Sequence, residues 1–203
     1  MDFGFNDHQD LLRESTRRFL TEHQPLVRVR QRLEEPDTFE TDLWRQGAAL
    51  GWTAMLVPHE LDGGSVTAQP LVDLVVLAEE LGRVLNPGPL VPCNVVADAI
   101  ARFGTDAQRS AHLRPLARGE ATAAWCLSAD GSPEPGAVGV LAAARDGWQL
   151  DGVARYVHGA GHASFLLVVA RDGAGALRTF LVPGAAAGVS VRTLRGLDLT
   201  RRF

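Results

Sequence analysis

The first 120 residues place apolar side chains at helical spacing between short breaks. From Asp7 to His23 they form a helical stripe of Leu11, Leu12, Phe19 and Leu20, which predicts a helix capped by Asn6 or Asp7. Further helices are predicted over 41–50, 70–85, 91–103 and 106–119, each bounded by a capping or helix-breaking residue. The charged stretch 24–36 is compatible with a short helix or a loop.

The helix predicted over 70–85 carries the longest apolar stripe. The stripe consists of Leu71, Leu74, Val75, Ala78, Leu81 and Leu85, which share one helical face and are expected to be buried. Glu79 and Glu80 are then expected on the outside of this helix, where solvation is the normal state of a carboxylate.

The second half of the chain changes to short runs separated by Gly, Pro and Asp. Seven runs have strand length: AAWCLSA, VGVLAAAR, GWQLDG, ARYVHG, SFLLVVAR, LRTFLVP and VSVRTL. Two of the connections carry the hairpin signal Asp-Gly. The predicted fold class is therefore α+β, with an all-α domain over 1–118 and a small antiparallel β-barrel or sandwich over 119–203. Its last strand is expected to be cut short at Phe203.

Composition excludes several classes of function. The formal net charge of -4 argues against broad nucleic-acid binding. All the basic residues are Arg, so lysine Schiff-base chemistry is excluded. No apolar run is long enough to cross a bilayer and no secretory leader is visible, so a cytoplasmic protein is expected. Cys93 and Cys126 are too isolated for a predicted metal site or disulfide, and are expected to be buried.

Five segments, in this order, resemble segments of the acyl-CoA dehydrogenase family: ALGWTAMLVPHELDGG, VVLAEELGRVL, LRPLARGEATAAWCLS, WQLDGVARYVHGAGHASFLLVVAR and GLDLTRRF. The resemblance implies a flavoprotein of three parts, with a helical domain, a β domain and a C-terminal four-helix domain. This chain covers the first two. The carboxylate base, much of a tetramer interface and some FAD contacts are expected in the third, so no catalytic residue is assigned here.

The resemblance implies that Trp125, Leu127 and Ser128 line FAD. The backbone of Leu127 and the hydroxyl of Ser128 would pair with the polar edge of the isoalloxazine. The alternative is a buried strand in which Trp125 and Leu127 face one core.

A second implied FAD-binding segment consists of Tyr156, Val157 and His158. Tyr156 would lie against the ring, and His158 would donate a hydrogen bond near flavin N5. The alternative for His158 is an exposed histidine in a hairpin.

The loop after the first implied FAD segment would contact substrate through Ser132. This loop, residues 129–135, keeps the Gly-Ser of the family pattern but departs from the rest and gains Pro133 and Pro135, which stiffen it. Outside the two FAD segments, His162 is expected in a surface loop and Trp148 in a strand core. Asp198 and Arg201 are expected to form a structural ion pair, and His59 receives no role.

The function implied by the resemblance is part of an FAD-dependent oxidoreductase that dehydrogenates an acyl-CoA thioester between its alpha and beta carbons. The chain is expected to be inactive alone and to assemble as a dimer or tetramer with itself or with a homologous subunit. Two alternatives stay open: a non-catalytic partner subunit, and a related flavin monooxygenase or nitroalkane oxidase. The acyl group is left open among fatty, branched, aromatic and sterol side-chain thioesters.

Overall fold

The computed structural model describes residues 4–33, 35, 39–194, 196–201 and 203. The chain divides into two compact units. The first comprises Met1–Ala121 and Asp198–Thr200, and the second comprises Thr122–Leu197 and Arg201–Phe203.

The first unit is helical, as predicted. Its helices are α1 Asp7–His23, α2 Leu26–Arg32, α3 Thr41–Ala49, α4 Pro70–Arg83, α5 Leu90–Phe103 and α6 Asp106–Ala117, with short 3-10 turns at Trp52–Ala54 and His59–Leu61. The ambiguous stretch 24–36 contains α2, while its end at Pro36 lies outside the described residues. In the described residues, no helix is both long and apolar enough to cross a membrane.

Two of these helices begin with reciprocal side-chain caps. Asn6 Oδ1 accepts from the backbone N–H of Gln9 at 3.0 Å, and Gln9 Oε1 accepts from that of Asn6 at 3.2 Å. Thr105 and Gln108 repeat this arrangement at the start of α6. Each box satisfies two backbone donors that the first helical turn leaves unpaired.

Helices α1 and α4 run in the same direction and are joined by polar contacts at two levels. Gln9 Nε2 donates to Asp73 Oδ1 at 3.1 Å, and Arg17 donates to both carboxylate oxygens of Glu80, with Nε–Oε2 at 2.9 Å. The side chain of Glu80 is only 2% exposed and also pairs with Arg83. The expectation that Glu80 is solvated on the outside of the helix is therefore wrong. Two guanidinium groups compensate the buried carboxylate.

The predicted apolar stripe of α4 is buried only in part. Leu74 and Leu81 are buried as expected, whereas Leu71, Val75 and Leu85, also expected inside, are exposed. Asp73, Leu77 and Glu80 lie outside that stripe and are buried. The buried face of α4 joins Leu12 and Leu20 of α1 in the hydrophobic core of the first unit.

Two consecutive glycines close the turn after the 3-10 segments. A Cβ atom at position 63 would lie 1.8 Å from the carbonyl oxygen of Val57, and one at position 64 would lie 2.7 Å from that of Gly51. No other residue type fits at Gly63 without moving the backbone, which explains the Gly-Gly in ALGWTAMLVPHELDGG.

The second unit is a five-stranded mixed sheet. Its strands are β1 Ala123–Cys126, β2 Val140–Ala144, β3 Trp148–Gly152, β4 Phe165–Asp172 and β5 Leu177–Pro183. The order is β1-β4-β2-β3, with β5 also paired to β4. The predicted α+β class is confirmed. The β2–β3 and β4–β5 pairs are antiparallel as predicted, whereas β1 and β2 pair with β4 in parallel, and the described strands do not close a barrel.

Two of the seven predicted strands do not form. In ARYVHG, Tyr156 has φ +57° and Gly159 has φ +75°, so the chain cannot stay extended there. The run VSVRTL does not pair with any strand of the sheet, and neither do residues 196–201 and 203. Arg202 is not among the described residues.

Strand β4 is the centre of the sheet, since it pairs with β1, β2 and β5, and its apolar residues are contiguous. Residues 165–170 are all buried. One face of β4, with Leu166, Val168 and Ala170, packs in a core with Ala124 and Cys126 of β1. A fully apolar run is typical of a strand covered on both faces.

Trp148 was expected in a strand core but lies half-exposed on the edge strand β3. Its ring packs edge-on against Phe180 of β5 with 5.3 Å between centroids, and the Arg178 guanidinium lies 5.3 Å from its centroid. These side-chain contacts link β3 to β5 without a backbone ladder.

Candidate functional site

The predicted site residues lie on two connections of the sheet that contact each other. Because β1 and β2 pair with successive parts of β4, the chain leaves the sheet between them as a connection over 127–139. The backbone N–H of Arg155 donates to the carbonyl of Ser128 at 2.8 Å, and that of Val153 donates to Gly139 at 3.3 Å. The β3–β4 connection is thereby joined to both ends of the β1–β2 connection.

Ser128 is 5% exposed and stabilises the turn that follows it. Its Oγ accepts from the backbone N–H of Gly131 at 3.0 Å. The hydroxyl proton is not used by this bond, so Ser128 keeps one donor.

The rest of the β1–β2 connection folds back on itself through short hydrogen bonds. Asp130 Oδ1 accepts from Ser132 N–H at 2.8 Å, and Ser132 Oγ accepts from Glu134 N–H at 3.2 Å. The Ala129 N–H donates to the Ala137 carbonyl at 2.8 Å and closes the loop. Ser132 is half-buried, and its hydroxyl is an acceptor within the loop that still has a proton to donate.

Trp125 and Leu127 differ in their surroundings. Trp125 is 39% exposed and points away from the core that contains Ala124 and Cys126, as alternation along a strand requires. Leu127 is half-buried and follows Cys126, the last residue of β1 in register with β4. Trp125 is therefore not the core residue that the alternative interpretation expected.

Tyr156, Val157 and His158 face three different environments. The Tyr156 ring is 56% exposed and packs against Gly131, where a Cβ atom would lie 2.9 Å from Cδ2 of the ring. Val157 is buried in the core of the sheet, so only its backbone is available to a ligand. His158 is half-buried, with its ring centroid 5.8 Å from that of Phe203.

Three further residues considered in the sequence are Cys126, His162 and Asp198. Burial raises the pKa of the Cys126 thiol to about 11, so it is protonated at neutral pH. His162, expected in a surface loop, is half-buried in a single 3-10 turn, and its carbonyl accepts from Thr122 Oγ1. Asp198 Oδ1 accepts from the N–H and hydroxyl of Thr200; its predicted pairing with Arg201 stays a prediction. Among the described residues, no group of three His, Cys, Asp or Glu is placed to hold a metal ion.

Comparison with known proteins identifies the family. The family model described as "Acyl-CoA dehydrogenase, N-terminal domain" matches residues 6–120. The chain belongs to the acyl-CoA dehydrogenase family. The predicted family resemblance is thus confirmed.

Two curated relatives show how much of a family member the chain represents. It is 30% identical over 165 residues to acyl-CoA dehydrogenase FadE12 of Mycobacterium tuberculosis, covering 74% of this chain and 40% of that protein. It is 25% identical over 195 residues to the 3-(aryl)acrylate reductase of Clostridium sporogenes, covering 92% of this chain and 50% of that protein. The chain thus spans half or less of the length of these two relatives.

Two solved structures have the same fold as the chain. A variant of the Tcur3481-Tcur3483 steroid ACAD superposes with a TM-score of 0.82 at 31% identity, over 96% of this chain and 53% of that one. The ChsE4-ChsE5 complex of Mycobacterium tuberculosis superposes with a TM-score of 0.86 at 22% identity, over 100% of this chain and 54% of that one. At that identity the second match shows the fold alone.

The sequence assigned no role of its own to one glycine and two arginines that support this site. Gly131 accommodates the Tyr156 ring, Arg155 joins the two connections through its backbone, and Arg171 contacts the β1–β2 connection from β4. The Asp-Gly pair at 130–131 is a turn signal that identifies a special backbone position at Gly131. No local signal identifies Arg171, because its partner is 36 residues away in the chain.

Proposed function

We propose that this chain is part of an FAD-dependent oxidoreductase that dehydrogenates an acyl-CoA thioester between its alpha and beta carbons. The observation that carries the proposal is the junction of the two connections, where the Arg155 N–H bonds to the Ser128 carbonyl and Tyr156 packs on Gly131. In a member of this family, these are the segments proposed to bind the cofactor.

The chemical groups at this junction fit a flavin. A flavin has a flat apolar face and a polar edge with both donors and acceptors, and it accepts the hydride when bound. The exposed rings of Trp125 and Tyr156 offer aromatic surface. The Ser128 hydroxyl and the Leu127 backbone are proposed to bind the polar edge.

Two further roles follow from the environments of the neighbouring residues. Val157 is proposed to contribute through its backbone, because its side chain is part of the core. His158 is proposed to donate a hydrogen bond to the flavin from its half-buried ring.

Substrate contact is proposed for the loop that contains Ser132. Its hydroxyl already accepts from Glu134 N–H, so it would act on a thioester substrate as a donor only. No base is assigned within this chain. The buried carboxylates Asp73 and Glu80 are already bonded by Gln9 and by Arg17, respectively, so neither is proposed for proton abstraction. We therefore propose that the chain alone does not turn over acyl-CoA.

The cofactor proposal is tested by adding FAD to the purified chain and measuring bound flavin by visible absorbance and fluorescence. We expect saturable binding of FAD, and weaker binding in Tyr156→Ala because that substitution removes the exposed ring. Phe103→Ala is the matched control, since Phe103 is an exposed aromatic residue in the helical unit. A chain that binds no flavin, or variants that bind equally, would contradict the proposal.

A second candidate is a subunit that works with a homologous acyl-CoA dehydrogenase chain. The self-bonded loop of residues 129–137, which departs from the family pattern, favours it. Two structural relatives are also described by paired names, Tcur3481-Tcur3483 and ChsE4-ChsE5. Co-expression with a longer homologue tests this candidate: it expects co-purification and flavin binding that exceeds the sum of the separate chains. Failure to co-purify contradicts it.

The steroid ACAD relative, at 31% identity, also suggests which substrates to test first. Sterol side-chain thioesters are proposed ahead of fatty, branched and aromatic acyl groups. The turnover rate of a reconstituted complex with each class of thioester checks this ranking. Faster turnover of straight-chain acyl-CoA than of sterol side-chain thioesters would contradict it.

A further inference from the structure

Arg171, near the end of β4, connects the β1–β2 connection to the β4–β5 hairpin. Its Nη2 donates to the carbonyl of Pro135 at 2.6 Å, and its Nη1 donates to the carbonyl of Gly175 at 2.9 Å. A guanidinium group makes two such bonds at once because its donors have a fixed planar geometry. Charge assistance makes each bond stronger than one between neutral groups.

The β4–β5 turn, which Arg171 contacts at Gly175, is held by hydrogen bonds to Asp172. Asp172 Oδ1 accepts from the N–H groups of Ala174 and Ala176, both at 2.9 Å, and Asp172 Oδ2 accepts from Arg178 Nε at 2.6 Å. The side chain of Asp172 is largely buried by these contacts. The Gly175 carbonyl is therefore presented to Arg171 by a turn that is already ordered.

The β1–β2 connection, which Arg171 contacts at Pro135, has fewer hydrogen bonds to the strands of the sheet. The hydrogen bonds described for residues 130–134 join loop residues to each other or to Ser128. The Arg171 bond to Pro135 is the one described between residues 130–137 and a sheet strand. This bond is made at Pro135, three residues after Ser132 in the chain.

We propose that Arg171 is a positioning residue, which holds the loop of residues 128–137 in the conformation that its cofactor and substrate contacts require. The inference rests on the proposed function for the roles of Ser128 and Ser132, but the mechanical coupling between Arg171 and the loop stands on the hydrogen bonds alone. Arg171 orders the loop before any ligand binds, so the ligand does not have to supply the ordering free energy.

The experiment compares Arg171→Gln and Arg171→Lys with Arg145→Gln in the full chain. Lysine keeps the charge but cannot reproduce the planar fork, so it is expected to rescue partially. Arg145 is an exposed arginine at the β2–β3 turn of the same unit, and its substitution removes the same charge.

The first measurement is amide hydrogen exchange of residues 128–138 without ligand. Loss of a hydrogen bond to a charged donor predicts about tenfold faster exchange in Arg171→Gln, a smaller increase in Arg171→Lys and none in Arg145→Gln. Unchanged exchange in Arg171→Gln overturns the inference.

The second measurement is the dissociation constant for FAD together with the unfolding temperature. The positioning role expects about tenfold weaker FAD binding in Arg171→Gln, with a change in unfolding temperature no larger than that of Arg145→Gln. Faster exchange with unchanged FAD affinity overturns the positioning role. If the wild-type chain binds no FAD, the proposed function fails, while the exchange data still decide whether Arg171 orders the loop.

Discussion

Gly131 lies so close to Tyr156 that a Cβ atom at position 131 would be 2.9 Å from Cδ2 of the tyrosine ring. Both residues have positive φ, +87° at Gly131 and +57° at Tyr156. Two unusual backbone conformations, one on each connection of the sheet, therefore meet at a single contact. A non-glycine residue with positive φ is uncommon and often marks a functional or tightly constrained position.

The first prediction concerns Gly131→Ala. The substitution forces a side chain into the left-handed region and against the ring, so the loop or Tyr156 has to move. We expect the free energy of unfolding to fall by about 1–2 kcal/mol and FAD affinity to fall with it. Thermal unfolding and flavin titration check the two effects.

Gly136→Ala is the control for this prediction, because a Cβ at position 136 meets nothing within 4 Å and its φ is not positive. It is expected to leave stability within about 0.5 kcal/mol of wild type. If the two variants had the same free energy of unfolding, the contact between positions 131 and 156 would not restrict the residue type at position 131.

The second prediction concerns the contribution of Glu80 to the pH dependence of the free energy of unfolding. Its hydrogen bond from Arg17, and then that from Arg83, hold the pKa of this carboxyl below its ordinary value of 4.5 despite burial. A lowered pKa stabilises the folded state at pH values above the ordinary pKa, and this stabilisation is lost as the pH falls through the folded-state pKa.

Glu80→Gln is therefore expected to destabilise the chain by about 1–3 kcal/mol at pH 7. The difference from wild type should shrink as the pH falls from the ordinary pKa of 4.5 through the lower folded-state pKa. Chemical denaturation over a pH series measures it. Glu79→Gln is the control, since Glu79 is the exposed neighbour on α4. A difference that stays constant down to low pH would contradict the ionic role of Glu80.

The third prediction concerns the buried carboxylate of Asp73. It accepts from Gln9 Nε2, from the hydroxyls of Ser65 and Thr67, and from the N–H groups of Val66 and Thr67, with distances of 2.8–3.1 Å. Asp73→Asn replaces one acceptor oxygen by an amide donor that faces other donors. We expect a loss of about 2–3 kcal/mol in the free energy of unfolding.

Urea denaturation measures this loss, with Asp42→Asn as the control. Asp42 is an exposed aspartate in the first turn of α3, and its substitution is expected to cost no more than about 0.5 kcal/mol. If Asp73→Asn were as stable as Asp42→Asn, the Asp73 hydrogen-bond network would not support the fold.

The fourth prediction concerns the two thiols. Cys93 is fully buried, and Cys126 is buried with a pKa of about 11. At pH 8 only about one Cys126 thiol in a thousand would be a thiolate. A thiol reagent is expected to leave the native chain unlabelled and to label two cysteines in denaturant. Rapid labelling of either cysteine under native conditions would contradict this prediction.

The local signals of the sequence predicted most elements closely. The Asn6 cap and the apolar spacing located α1, and Pro70 located the start of α4, because caps and proline act within one helical turn. The five strands that form each lie within one of the seven predicted runs, to within one residue. The predicted strand over ARYVHG did not form because the chain turns at Tyr156 and Gly159, both at positive φ. The Tyr156 ring lies against Gly131, a contact that the local sequence does not reveal.

By itself, then, the sequence determined the order of helices and strands, the family, and the two segments proposed to bind the cofactor. Tertiary structure decided which residues of α4 are buried, since Asp73 and Glu80 lie in the interior with hydrogen-bond partners distant in the chain, among them Gln9 and Arg17 on α1. It also decided the parallel pairing of β1 and β2 with β4 and the reach of Arg171 to Pro135. Local propensity acts between neighbours, whereas the burial of a charge and the closure of a loop depend on partners that only folding brings together.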